Sequence, residues 1–324
     1  MTPSAEIPPG SGDLNCPACG APLPARPAIA GGDRLHGIAG EFAVHVCAGC
    51  GSGRTLPYVP PDELGALYPA GYNAHALPAN LPLRAAATAL FRWRYWRSLR
   101  RAPLGELRGV TPGRVLDVGS GRGDLGVVLR ARGWQIIGLE PSPEAAAEAE
   151  SRGVPIVVGT LITARDALGD PFDAVVFQHS LEHMTEPLDE LRVAPALLRP
   201  GGLVLVSVPN FGSWQARRFG ADWFHLDLPR HRSHFTAPGL DTLLRRAGLE
   251  PAGTATSTSA DGFPMSLQYQ RFGGRRWTHG PALYAATAAM LATAPLTALV
   301  DRASGRADLL HAVASVTFRA NWAQ

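Results

Sequence analysis

Between residues 114 and 209 the chain alternates short apolar runs with longer helical segments. The runs are RVLDV (114–118), QIIGLE (135–140), PIVVG (155–159), FDAVVF (172–177) and GLVLVSVP (202–209). Runs of this length, rich in Val and Ile and bounded by Gly or Pro, predict strands covered on both faces. DLGVVLRAR (124–132) predicts a helix that stops at Gly133, and PEAAAEAESR (143–152) one that starts on Pro143 and ends before Gly153. Another helix starts near Pro238, and TATSTSA (254–260) and DLLHAVASVTF (308–318) read as sixth and seventh strands. The alternation predicts a doubly wound, mostly parallel α/β sheet with ligands at the carboxyl ends of its strands.

Two other segments break this rhythm. PALYAATAAMLATAPLTALV (281–300) carries no charge and is long enough for a bilayer, but Pro295 interrupts it and a crossing would separate neighbouring strands. A helical hairpin is expected instead, within an insertion over 262–306. It would pack on the domain, dip into a membrane surface or make a homodimer contact. Upstream, RAAATALFRWRYWRSLRR predicts a helix at about 83–101, read as a cap on the following domain. The boundaries are then a polar, disordered tail (1–14), a small domain (15–56), a Pro-rich linker with the cap helix (57–108) and the main domain (109–324). The first residues, MTPSAEIPPGSGDLN, have neither the basic nor the apolar stretch of a signal peptide, so a cytoplasmic protein is expected. Contact through 281–300 would place it at the inner face of the membrane.

Composition adds two constraints. The net charge of +3, with arginine as the only strong base, is too small for a dedicated nucleic-acid binder. The four cysteines, Cys16, Cys19, Cys47 and Cys50, fall in CPACG and CAGCG. Two C-x-x-C knuckles, each followed by Gly, are the pattern of a ribbon holding structural Zn2+. A reducing compartment argues against disulfides, and the absence of a surrounding βαβ unit argues against a redox pair.

The turn GSGRGD after the first strand, with Gly119, Ser120 and Gly121, and Glu140 at the end of the second strand loosely fit a dinucleotide pattern. However, Asp117 and Asp124 flank the turn, no Lys compensates, and two carboxylates there would repel a pyrophosphate. S-adenosylmethionine has a sulfonium, an ammonium and no phosphate, and suits the site better. Glu140 can then accept from both ribose hydroxyls.

VLDVGSGRGD, GLEPS, FDAVVFQHSLEHMTEP and LRPGGLVLVSVPN together resemble the class I S-adenosylmethionine-dependent methyltransferases, in the branch of the ubiquinone-type O-methyltransferases, over roughly residues 110–260. The resemblance implies a seven-stranded Rossmann-like sheet whose last strand runs antiparallel between the fifth and sixth. It also implies that Asp117, Gly119, Ser120 and Gly121 line the methionine and ribose part, and that Glu140 and Pro141 hold the ribose. Thr160 and Leu161 would flank the adenine, and Gln178 and His179 would face the methyl group. Ubiquinone-type relatives are similar at the fourth strand but carry a Glu and then a Glu-His pair that can hold a divalent cation. Here Glu182 and His183 match the pair and His179 stands in place of the first Glu, so no cation is expected there.

Methyl transfer to an alcohol needs a base, and His179 is the first candidate. His231 and His234 are the others, in HLDLPRHRSHF (225–235). In this fold the surrounding loop, 209–236, borders the acceptor pocket. Its Trp214, Trp223, Phe224, Arg217 and Arg218 suit a sugar or nucleotide-sugar. A metal triad of His225, His231 and His234 is disfavoured, because Asp227 is the only other acidic ligand nearby. The expected function is methylation of a small polar acceptor, with a sugar, nucleotide-sugar or glycolipid hydroxyl favoured. The alternatives are an RNA methyltransferase docked by its ribbon, a sugar C-methyltransferase and a silent cofactor-binding module.

Overall fold

The computed structural model describes residues 15–68, 103–107, 110–259, 261–274 and 281–316. The expected 1–14 tail and 83–101 helix lie outside these residues. The chain opens with two knuckles, in which the Gly20 and Gly51 N–H groups donate to the carbonyls of Cys16 and Cys47, both at 2.9 Å. Both glycines sit at positive φ (80° and 74°), where a Cβ would be strained. Strands β1 (Ile29–Gly31), β2 (Phe42–Val46) and β3 (Gly53–Leu56) follow as an antiparallel meander.

The main sheet starts with β4 (Arg114–Val118), α1 (Asp124–Arg130), β5 (Gln135–Glu140), α2 (Pro143–Ser151), β6 (Ile156–Val158), the short α3 (Leu161–Ala164) and β7 (Phe172–Gln178). The chain continues through α4 (Pro187–Leu197), β8 (Leu198–Pro209), α5 (Trp214–Phe219), β9 (Ser233–His234), which joins the N-terminal meander, α6 (Ala237–Arg246) and β10 (Leu249–Ser257). It closes with α7 (Gly262–Phe272), α8 (Pro281–Ser304) and β11 (Leu309–Val316). The strand order is β10-β11-β8-β7-β4-β5-β6, with β11 antiparallel to both neighbours, as expected for a Rossmann-like methyltransferase sheet.

Two elements differ from expectation. The sixth strand begins at Leu249 and not at Thr254, because pairing with β11 carries it back through Pro251 and Gly253, where a register shift absorbs the two poor strand formers. The 281–300 segment lies within one continuous helix of 24 residues, Pro281–Ser304, and is not a hairpin, with Pro295 inside it. Its Ala-rich flanks favour helix strongly enough to carry the missing hydrogen bond. Among the described residues no helix is long and apolar enough to cross a membrane.

The ribbon and the sheet are one packed body. β9 pairs with β3, Gly53 facing His234 and Arg54 facing Ser233, so the loop before α6 supplies the fourth strand of the ribbon. Leu240, Leu243 and Leu244 recur at helical spacing on α6 and share a buried cluster with Cys16, Ala18, Leu23 and Cys47 on one side and Val204 and Val206 of β8 on the other. Each fully buried leucine of this kind stabilises by roughly 2 kcal/mol.

Arg230 fastens the same joint. It is fully buried, and its two terminal nitrogens reach both oxygens of Asp33 at 2.7 and 2.8 Å while Nε and Nη2 hold Asp227 at 3.1 and 2.6 Å. Burial opposes the charge on Asp33, but Arg230 holds the carboxyl down to about 2. Arg230→Ala leaves two buried carboxylates unpaired. A loss of about 3–5 kcal/mol in urea unfolding is expected, and a loss under 1 kcal/mol would contradict this role.

Candidate active site

The site begins at the carboxyl ends of β4 and β5. Asp117 and Glu140 are both buried there, and no arginine or histidine pairs with either among the described residues. Burial, then Glu140, then Asp124 push Asp117 up to about 7, and burial raises Glu140. Asp124, read from sequence as the second acid facing the ligand, is instead bound by Arg152 at 2.6 Å and Arg122 at 3.6 Å at the start of α1. The negative charge at the site is therefore that of Asp117 and Glu140. Glu140 accepts from the N–H groups of Gly121 at 2.8 Å and Ser142 at 3.0 Å, leaving each oxygen room for a further donor. Gly119 has φ 70°, and a Cβ on it would come within 2.5 Å of the Ser180 side chain, so the turn lies hard against the loop after β7.

This turn, the end of β7 and the loop after it supply polar atoms with nothing to bind. Ser120 Oγ, Gln178 Oε1 and Ser180 Oγ are buried without hydrogen-bond partners. Each costs about 1–3 kcal/mol if left so, and together they outline a polar cradle over β4 and β7. The far end of the site fits expectation less well. Leu161 lies wholly in the core and its N–H is held by Glu190 at 2.9 Å. Thr160 caps α3 with its side chain, while Pro141 is exposed.

The histidines separate by environment. His179 ends the β7 region at φ 54°, an uncommon backbone for a residue with a Cβ, and its half-exposed ring places Nδ1 3.5 Å from Glu182 Oε1. His234 is buried in β9, with Nε2 2.8 Å from Thr55 Oγ1, and burial pushes it down to about 3. It is a strut between ribbon and loop, which corrects its candidacy as a base. His231 Nδ1 lies 2.8 Å from the carbonyl of His225, and His183 Nδ1 lies 3.0 Å from Tyr68 Oη. Their rings meet edge to face at 4.6 Å, beside Glu182. His225, with Nε2 3.1 Å from Asp308, belongs to a separate cluster that includes Ser259.

Loop 209–236 is not the open aromatic wall expected of it. Trp223 is 1% exposed and Phe224 8%, and Trp214 donates to Asp301. These side chains hold the loop together, and their composition is no argument for a sugar. Thr55, Tyr68 and Asp33 reach the histidine cluster or its supports from residues 115 to 197 positions away, and no local motif marks them.

The four cysteine sulfurs of the two knuckles gather in one place. Cys16 and Cys50 Sγ are 3.5 Å apart, as are Cys19 and Cys47, and all four lie within 4.8 Å of one another. A tetrahedral Zn–S4 centre has sulfur spacings of about 3.8 Å, so the set fits one Zn2+ and no disulfide is formed. Burial opposes ionisation of Cys47, but the N–H groups of Cys50 and Gly49 bring it to about 7, while burial pushes Cys16 and Cys19 up.

A profile described as "Methyltransferase domain" matches residues 89–252, half of the chain, and the chain belongs to that family. It is 35% identical over 149 residues to a ubiquinone biosynthesis O-methyltransferase of Cereibacter sphaeroides, covering 43% of this chain and 60% of that protein. A Ruegeria pomeroyi protein of the same name is 36% identical with the same coverage. The chain thus spans less than two thirds of these curated relatives. A solved S-adenosylmethionine-dependent methyltransferase from Archaeoglobus fulgidus superposes with a TM-score of 0.47 at 17% identity, over 69% of this chain and 93% of that one.

Proposed function

We propose that the chain is an S-adenosylmethionine-dependent methyltransferase that O-methylates a hydroxyl of a small polar acceptor. The observation that carries this reading is the convergence of two unpaired acids, Asp117 and Glu140, with the partnerless Ser120, Gln178 and Ser180 at the carboxyl ends of β4, β5 and β7. This donor set repels phosphate and suits a ligand bearing an ammonium and ribose hydroxyls. When bound, S-adenosylmethionine supplies a methyl group on a sulfonium. Asp117 would accept from the ammonium, and Glu140 from the ribose hydroxyls. Gly119 and Gly121 would border the methionine and ribose part, and Thr160 the adenine. Names of the relatives support transfer to oxygen. The four cysteines would hold a structural Zn2+.

His179 is the most exposed imidazole at the site, and its strained backbone presents it beside Glu182. It would take the proton of the acceptor hydroxyl, and the Glu182 carboxylate would stabilise the imidazolium formed. His179→Ala should lower kcat by roughly 10²–10⁴-fold with S-adenosylhomocysteine affinity unchanged. Full activity would move the base elsewhere. Transfer of a labelled methyl group into fractionated cell extract tests the reading as a whole. Label in a glycan, glycolipid or quinone-precursor fraction identifies the acceptor class, and absence of both label and S-adenosylhomocysteine binding would overturn it.

A further inference from the structure

The insertion over 262–306 has the reverse of the polarity expected of helices in water. On α8 the inward side chains Thr297 and Asp301 are polar, and both are buried. The outward ones are apolar: Leu296 and Leu299 are each 63% exposed, and Val300 and Pro295 share their flank. α7 packs beside α8 and repeats the pattern, burying Ser266, Gln268 and Tyr269 while exposing Leu267 and Phe272. An amphipathic helix of a soluble domain does the opposite. The inward polar groups are held by loop 209–236. Trp214 donates its indole N–H to Asp301, and the Phe224 N–H donates to Ser266 Oγ at 2.9 Å. Turning either helix to hide its apolar side chains would break these bonds.

We propose that α7 and α8 dock on an anionic lipid bilayer. α8 lies flat in the headgroup layer, Leu296, Leu299 and Val300 reach the acyl chains, and arginines meet the phosphates. Neighbouring exposed apolar side chains of this kind mark a contact surface. Charge selects the occupant. Residues 262–306 contain five arginines and a single acid, Asp301, which is buried. Arg271, Arg302 and Arg306 are exposed, and Arg302 follows Leu299 by one helical turn, on the same flank. A positive rim around an apolar strip is complementary to anionic headgroups over hydrocarbon, the arrangement of a helix that lies in the interface. No helix among the described residues is apolar enough to cross, which is consistent with this in-plane mode. A second copy fits less well. A two-fold contact on this face would set two positively charged insertions against each other, with no exposed acid in either to pair them.

The inference does not depend on the methyl-transfer reading, and its test does not use turnover. Full-length protein, its cysteine site loaded with zinc, is co-sedimented with phosphatidylcholine vesicles that contain or lack phosphatidylglycerol. The wild type should pellet with the phosphatidylglycerol vesicles, less so as salt is raised, and hardly with phosphatidylcholine alone. Leu296→Glu combined with Leu299→Glu should weaken this binding at least roughly tenfold. Arg302→Gln combined with Arg306→Gln should weaken it by a similar factor and flatten its salt dependence. Both double variants change exposed side chains and should melt with the wild type. Failure of the wild type to bind phosphatidylglycerol vesicles would overturn the proposal, as would undiminished binding by the folded leucine variant. A wild-type dimer in light scattering that the leucine variant converts to monomer, with no vesicle binding, would assign the face to a second copy instead.

Discussion

Asp117→Asn is expected to weaken S-adenosylhomocysteine binding about 100-fold while leaving the ligand-free protein as stable as the wild type, or more so, at pH 8. The reason is the same for both halves. Asp117 is buried beside Glu140 and Asp124, and its carboxyl is pushed up to about 7 from an ordinary 3.8. Between those values the folded chain keeps a proton that the unfolded chain has released. Stability of the ligand-free protein therefore falls as pH rises from about 4 to about 7, by up to ~4 kcal/mol for this one group. Asparagine removes that slope. A ligand ammonium reverses the balance by favouring the ionised acid, so binding should tighten with pH up to about 7 and then level off. Truncating one partner of a desolvated charge pair costs about 2–5 kcal/mol, which includes the 100-fold expected. Calorimetric titration at pH 5.5, 7 and 8.5 measures both effects. Unchanged affinity in Asp117→Asn would sink the cofactor assignment.

Cys47→Ser, or removal of zinc by a chelator, should lower the stability of the whole molecule and not of its N-terminus alone. Structural zinc in isolated finger peptides contributes on the order of 10 kcal/mol, as much as the entire net stability of an ordinary domain. Cys47 and Cys16 lie in the cluster that contains Leu240, Leu243 and Leu244 of α6 and Val204 and Val206 of β8. Loosening the knuckles opens that cluster, so ribbon and sheet should melt together at a reduced temperature. Thermal unfolding followed by both tryptophan fluorescence and far-ultraviolet circular dichroism distinguishes the outcomes. A sheet that melts at the wild-type temperature after zinc loss would mean that the two parts do not share a core.

The strands were legible because a parallel sheet is covered on both faces. VVF in β7 and LVLVSV in β8 read as continuous apolar runs with no helical rhythm to confuse them. The knuckles were legible because thiolate spacing is a local property. What sequence alone did not show was long-range pairing. β9 has two residues and becomes a strand only because β3 lies beside it. Nothing local in the sequence pairs Arg230 with Asp33, 197 positions away. His231 joins Glu182 and His183 across almost fifty residues, by a loop whose own composition suggests an aromatic pocket wall. The Glu182–His183 pair was visible in the sequence, and its closeness to His231 was not.

The β3–β9 ladder also sets a timetable for synthesis. β3 leaves the ribosome about 180 residues ahead of its partner. At typical elongation rates of about 5–20 residues per second, it waits roughly 10–40 s with one edge unpaired. During that interval the knuckles can take up metal, but the face destined for α6 stays bare. Until β9 arrives, that unpaired edge is the part of the ribbon open to pairing with a neighbouring chain.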